Sequence, residues 1–232
     1  MDKINKTFEL QPGTLYVTAT PIGNLSDITL RALEVLKNCD FVVCEDTKQT
    51  LKLLNHYEIK KRLISSNSFK EMHVASRIIS ELEEGKSAAL VTDNGTPGIS
   101  DPGSILVKKC REKGIKIVPI PGASAVCSLL SVCGWNTSPF VFLGFLSNKS
   151  GRRKNEISLY KGFPGVIVIY ESPHRIKKTI ADLFIVLGDK EIVIGREISK
   201  IYEEILLTKL SLVADNNINI TEKGEFVIAI KN

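Results

Sequence analysis

Apolar residues along this chain fall into short runs separated by longer stretches of helical period. TLYVTA (14–19), DFVVCE (40–45), RLISSN (62–67), AALVTD (88–93) and IKIVPI (115–120) are compact runs bounded by turn formers, as buried strands are. Between them, Ile28, Leu30, Leu33 and Leu36 recur at helical spacing behind Ser26 as a candidate N-cap. LKLLNHY reads as a short helix, MHVASRIISELEEG as an amphipathic helix closed by Gly85, and SILVKKCREKG and ASAVCSLLSVCG as two more. Strands alternating with helices predict a mostly parallel sheet covered on both faces.

From about residue 138 the pattern changes. FVFLGFL and GVIVIY are strands separated by a basic loop, NKSGRRK. HRIKKTIADLFIVLG puts Ile176, Ile180, Leu183, Phe184 and Leu187 on one helical face, and EIVIGREI, EEILLTKL and GEFVIAIK resemble strands of a mixed sheet. The expected architecture is α/β in two domains, 1–137 with a mostly parallel sheet and 138–232 as a smaller α+β domain, and a cleft between them would suit a ligand.

Composition narrows this only in part. With 43% hydrophobic and 25% charged residues the chain can bury a real core, and its formal net charge of +5 permits an acidic partner without selecting one. MDKINKTFELQPG is charged and lacks an apolar core, and no run approaches the roughly 20 apolar residues of a spanning helix, so a cytoplasmic protein without a leader or anchor is expected. Cys39, Cys44, Cys110, Cys127 and Cys133 are odd in number and form no C-x-x-C pair, which predicts buried reduced thiols and no metal site.

In a parallel sheet, ligands gather beyond the carboxyl ends of the strands. The segments there are TPIGN (20–24), EDTK (45–48), DNGTPGISDPG (93–103), PGAS (121–124) and ESPHR (171–175). The third has no basic residue among its glycines and matches neither a P-loop nor G-x-G-x-x-G, so a triphosphate is disfavoured. Its turn formers bare backbone N–H groups that could meet a carboxylate, while Asp93 or Asp101 could meet an amine or hydroxyls. Asp101-Pro102 also reads as an N-cap followed by Pro at the first helical position. Each segment alone has a plain structural reading: a turn into a capped helix, a solvated acidic pair, or a solvated charge run.

Taken in order, LYVTATPIGNLSDITLRALEVLKNCD, CEDTKQTLKLL, LVTDNGTPGISDPG, VPIPGASA, FLGFL followed by GRRK, and YESPHR resemble the ribosomal RNA small subunit methyltransferase I family, a branch of the tetrapyrrole methylases, over residues 14 to 230. The resemblance implies a two-domain class III methyltransferase fold, a homodimer, and S-adenosylmethionine in the cleft. It implies 2′-O-methylation of a cytidine ribose in 16S RNA, in the assembled or nearly assembled small subunit. Cofactor contacts carried over are Ile22, Gly23, Asp93, Gly95, Thr96, Pro97, Ile99, Ser124, Ala125 and Tyr170. Candidate catalytic groups are Asp46 and Glu171, then Glu45, Asp101 and His174. Lys48, Lys149, Arg152, Arg153, Lys154 and Arg175 are the expected RNA contacts.

The chain departs from the family pattern at Lys48, where Arg is usual, and at Asn94 and Gly98. It also ends soon after GEFVIAI, where many members continue into a helical extension. A methylase acting on a tetrapyrrole or a protein side chain, and a non-catalytic RNA- or nucleotide-binding module, remain as alternatives.

Overall fold

The computed structural model describes residues 9–66 and 71–232. Most of the N-terminal segment read as neither leader nor anchor, and Asn67 of the third expected strand, lie outside the described residues. Packing divides the chain between Ala123 and Ser124.

The first unit is built on five parallel strands in the order β3-β2-β4-β1-β5, namely β1 (Thr14–Thr18), β2 (Phe41–Cys44), β3 (Arg62–Ser65), β4 (Ala88–Leu90) and β5 (Lys116–Ile120). Alternate residues feed two cores. Tyr16, Val42, Cys44 and Ala89 pack with Ala32, Val35 and Leu36 of α1 (Leu30–Asn38) and Leu53 and Leu54 of α2 (Thr47–His56). Leu15, Phe41, Val43, Ala88 and Leu90 pack with Ile78, Ile79 and Leu82 of α3 (Glu71–Glu83) and Leu106 and Cys110 of α4 (Ser104–Glu112). A sheet buried on both faces explains why its strands read as continuous apolar runs.

The second unit carries a mixed sheet in the order β6-β7-β10-β8-β9: β6 (Phe140–Phe145), β7 (Val166–Glu171), β8 (Glu191–Arg196), β9 (Glu204–Lys209) and β10 (Phe226–Lys231). The ladder β6-β7 is parallel, and β10 runs antiparallel to both β7 and β8. The carboxyl ends of β6, β7 and β8 therefore share one edge. Ile167, Ile169, Ile192, Ile194 and Ile228 face α6 (Ser150–Ser158), α7 (Ile176–Leu187) and α8 (Leu210–Ala214). Val166, Val168, Val193, Val227 and Ala229 face Val126, Leu129 and Leu130 of α5 (Ala125–Val132). This packing places α5 in the second unit, so the division precedes it rather than falling at 137/138.

Several local expectations are corrected. Thr29, not Ser26, caps α1: its Oγ1 accepts the Ala32 N–H at 3.2 Å, and Asn24 caps a separate 3₁₀ turn, Leu25–Asp27. Leu30, assigned to the apolar stripe, is 82% exposed. NKSGRRK is not a loop; most of it is the first turns of α6. Asp101 does not cap α4, which starts after Gly103 with no side-chain cap. Cys127 is exposed, unlike the other four cysteines. No helix of the described residues is long and apolar enough to cross a membrane.

Candidate active site

Because β2, β4, β1 and β5 are neighbours and parallel, the segments following them stand side by side at one sheet edge. Backbone bonds tie two of them together. The Thr20 N–H donates to the Gly95 carbonyl at 2.9 Å, the Gly95 N–H returns a bond to the Thr20 carbonyl at 3.2 Å, and Thr20 Oγ1 donates to the Thr92 carbonyl at 3.1 Å. Gly95 holds φ +79°, a conformation that L side chains rarely adopt, with Ile22 close by. A third segment joins through Thr29, whose Oγ1 donates to the Pro121 carbonyl, and Gly122 lies so close to Ala19 that a Cβ would stand 2.9 Å from the alanine Cβ. Ser124 caps α5 by accepting the Cys127 N–H at 3.4 Å, with Ala125 as the first helical residue.

Within this frame the Gly95 amide is spent on Thr20 and is not free for a ligand, although the Asn94-Gly95 turn formers were expected to bare N–H groups. The N–H groups of Thr96 and Gly98 make no hydrogen bond among the described residues, and Pro97-Gly98 forms a turn between Thr96 and Ile99. Pro97 is buried beneath them, Ile99 is 65% exposed, and Ile22 is buried while Gly23 is exposed.

Carboxylates converge at the same edge. Asp46 caps α2, its Oδ1 accepting the Lys48 N–H at 2.7 Å, and its own N–H donates to Asp93 Oδ1 at 3.3 Å. Burial, then the charges of Asp93, Asp101 and Asp46, raises the Glu45 pKa. Burial also raises that of Asp93, and the Asp46 N–H partly offsets it. Glu45, Asp46, Asp93 and Asp101 thus form one electrostatic group, with the Lys48 side chain exposed beside it. Such a set of acids, unpaired amides and apolar surface suits a ligand with an amine, a carboxylate, hydroxyls and a positive centre. Among the described residues no acidic, Cys and His cluster has the makings of a metal site.

The ESPHR and GRRK motifs of the second unit belong to a different construction. Glu171, expected to be catalytic, is buried and fully engaged: it accepts from the Ser172 N–H at 2.7 Å and from Thr179 Oγ1 at 2.5 Å, and it forms an ion pair with Arg175 Nη2 at 3.1 Å. A carboxylate so held cannot act as the base for a substrate hydroxyl. Arg175 donates further to the Leu146 carbonyl at 2.6 Å and to Asn148 Oδ1, so it is not a free RNA contact. Arg153 is 3% exposed and pairs with Asp182 through Nε at 2.9 Å and Nη2 at 2.5 Å, while Nη1 reaches the Ser147 carbonyl at 3.0 Å. Burying a guanidinium demands such pairing, and it removes Arg153 from the RNA-facing set. Lys149, Arg152 and His174 are exposed, and Lys154 is half-buried. Tyr170 is partly buried, its ring 4.8 Å from that of Phe142 and 5.6 Å from that of Phe145.

Sequence reasoning missed Thr20, Asp182 and Phe145. A signal existed for Asp182, which interrupts the apolar face of α7 between Thr179, Ile180 and Leu183, where an acid needs a buried partner.

Comparison with known proteins agrees with this arrangement. The profile of the Tetrapyrrole (Corrin/Porphyrin) Methylases matches residues 14–214. The chain is 42% identical over 226 residues to the ribosomal RNA small subunit methyltransferase I of Leptospira biflexa, covering 97% of this chain and 93% of that one. It is 40% identical over 219 residues to the protein of the same name from Bacillus subtilis, covering 94% and 75%. A uroporphyrin-III C-methyl transferase from Thermus thermophilus, solved in complex with S-adenyl homocysteine, shares the fold with a TM-score of 0.66 at 16% identity, over 93% of this chain and 96% of that one. The profile match and the identity over nearly the whole chain show that it belongs to the tetrapyrrole methylases and, within them, to the ribosomal RNA small subunit methyltransferase I family.

Proposed function

We propose that this protein transfers the methyl group of S-adenosylmethionine to the ribose 2′-oxygen of a cytidine in 16S RNA. The observation that carries the cofactor assignment is the set of strand-end segments in the first unit, where unpaired N–H groups lie beside four carboxylates without a basic residue between 92 and 103. The amides suit the carboxylate of the cofactor, and Asp93 or Asp101 suits its amine and ribose hydroxyls. Ile22, Gly23, Thr96, Pro97 and Ile99, with Gly95 shaping the loop and Ser124 and Ala125 following β5, make up the proposed contact set. When bound, S-adenosylmethionine supplies an electrophilic methyl group.

The protein's task is then to hold the ribose oxygen in line and take its proton. Positioning of reacting atoms supplies on the order of 7–11 kcal/mol in such reactions. With Glu171 locked in its ion pair, Glu45 is the base we favour, since burial and three neighbouring acids raise its affinity for a proton above that of an ordinary glutamate. Asp46 orients α2 and Asp93 rather than meeting the hydroxyl. The family resemblance supports a cytoplasmic homodimer acting on the small subunit, and sedimentation of the purified protein checks its stoichiometry.

The test is label transfer from S-adenosylmethionine to small-subunit RNA, with cofactor affinity measured by calorimetry. Asp93→Asn is expected to weaken cofactor affinity and Glu45→Gln to slow transfer while leaving affinity within about twofold. Full transfer by Glu45→Gln would remove it as the base.

A further inference from the structure

The carboxyl end of β6 carries a feature that the methyl-transfer chemistry leaves unused. The β6-β7 register shifts between Phe142 and Phe145: Phe142 pairs with Val168 and Phe145 with Tyr170, so β6 spends one extra residue there. Gly144 at φ +63° allows the bulge. Its result is that Phe142 and Phe145, three residues apart, both lie against Tyr170. Phe142 is partly buried in the core beneath α5, whereas Phe145 is 59% exposed.

Immediately after Phe145, the segment Leu146–Lys149 is fixed from several sides. Arg175 donates to the Leu146 carbonyl and to Asn148 Oδ1, Arg153 donates to the Ser147 and Asn148 carbonyls, and Glu156 accepts the Ser147 N–H at 2.9 Å. The two arginines are themselves held by Glu171 and Asp182. Ser150 Oγ also donates to Asp182, at 2.9 Å. Five buried or partly buried charges, Arg153, Glu156, Glu171, Arg175 and Asp182, thus immobilise a short exposed segment. With its Oδ1 taken by Arg175, Asn148 keeps its Nδ2 donors for solvent, and Lys149 and Arg152 are exposed next to it.

An exposed aromatic ring braced from behind, a carboxamide donor and a cation on one rigid segment are the elements that bind an unstacked nucleotide: a face for the base, donors for ribose or phosphate oxygens, and charge for the phosphate. We propose that Phe145, Asn148 and Lys149 form a single-nucleotide site for the RNA substrate, with Phe145 stacking on a base, and that Arg153 and Arg175 are positioning residues for it. This rests on RNA being the substrate.

Steady-state methylation of small subunits, cofactor calorimetry and amide exchange test the site together. Phe145→Ala, Asn148→Ala and Lys149→Ala, all at exposed positions, are each expected to raise KM for the subunit about tenfold or more, with cofactor affinity within about twofold, in line with stacking and phosphate contacts. Phe145→Trp is expected to retain wild-type KM and to be quenched by single-stranded RNA. Arg175→Lys is expected to raise KM and to speed exchange of the Ser147 amide. Unchanged KM in the three alanine variants overturns the site, and so does a loss of cofactor affinity in Phe145→Ala, which would assign the ring to the cofactor. If wild-type protein methylates no RNA, the substrate reading itself has failed, whatever the variants do.

Discussion

At the residue scale, Glu45 is the most informative position. Its pKa is raised, so the native state favours the protonated form over what the unfolded chain does. The sign follows directly: its contribution to stability is present below the unfolded value and is lost as pH rises through the folded one. Glu45→Gln is therefore expected to match or exceed wild-type stability at neutral pH, while losing about 10²–10⁴-fold in methyl transfer as a general base would. Thermal melts across pH and a pH-rate profile whose acid limb lies above the ordinary glutamate range check both halves. Glu81 behaves in the opposite way. Hydrogen bonds first from Arg62 and then from Lys86 hold its pKa down to about 2, so its stabilisation is present above the unfolded value and is lost as pH falls towards 2. Glu81→Gln should flatten that acid limb of the stability curve.

At the element scale, α6 gives the clearest contrast between a charge seen in sequence and a charge seen in the fold. Arg152 and Arg153 are adjacent, yet one is exposed and the other pairs with Asp182 inside the second unit. Arg153→Met is expected to destabilise by about 3–5 kcal/mol, as uncompensated buried charges do, and Arg152→Met by less than about 0.5 kcal/mol. Chemical denaturation distinguishes them, and the double variant Arg153→Met with Asp182→Leu should recover much of the loss. In the first unit, Gly95→Ala should cost roughly 1–2 kcal/mol for a left-handed backbone and loosen the tie to Thr20.

Legibility in the sequence follows these same elements. Strands were readable because burial on both faces makes apolar runs, and the segments beyond them could be placed because parallel strands share an edge. The start of α1 was misplaced because Asn24, Ser26 and Thr29 are all good caps and only packing chooses among them. NKSGRRK hid a helix because its buried face is Arg153 and Ile157 rather than an apolar stripe. The link between TPIGN and DNGTPG runs mostly through backbone groups of Thr20 and Gly95, and the one side chain in it, Thr20, sits in a turn-forming segment where a threonine draws no notice. Glu171 looked catalytic because sequence shows a charge at a strand end without showing what already holds it.

At the scale of the whole molecule, the two units divide the work. The first gathers amides and acids at the edge of a parallel sheet, which matches a small cationic cofactor. The second uses buried ion pairs to fix Leu146–Lys149 and display Phe145, which matches a polyanion with exposed bases. Loss of Asp93 and loss of Phe145 should therefore separate, one acting on cofactor affinity and the other on substrate KM. The central claim is the reaction itself, and it is tested most directly by supplying methyl-labelled S-adenosylmethionine and the purified protein to small subunits from cells lacking this protein, then mapping the labelled nucleotide. The expected result is label on the ribose 2′-oxygen of one cytidine of 16S RNA. Label on a base, on a ribosomal protein, or on no component despite cofactor binding would contradict it.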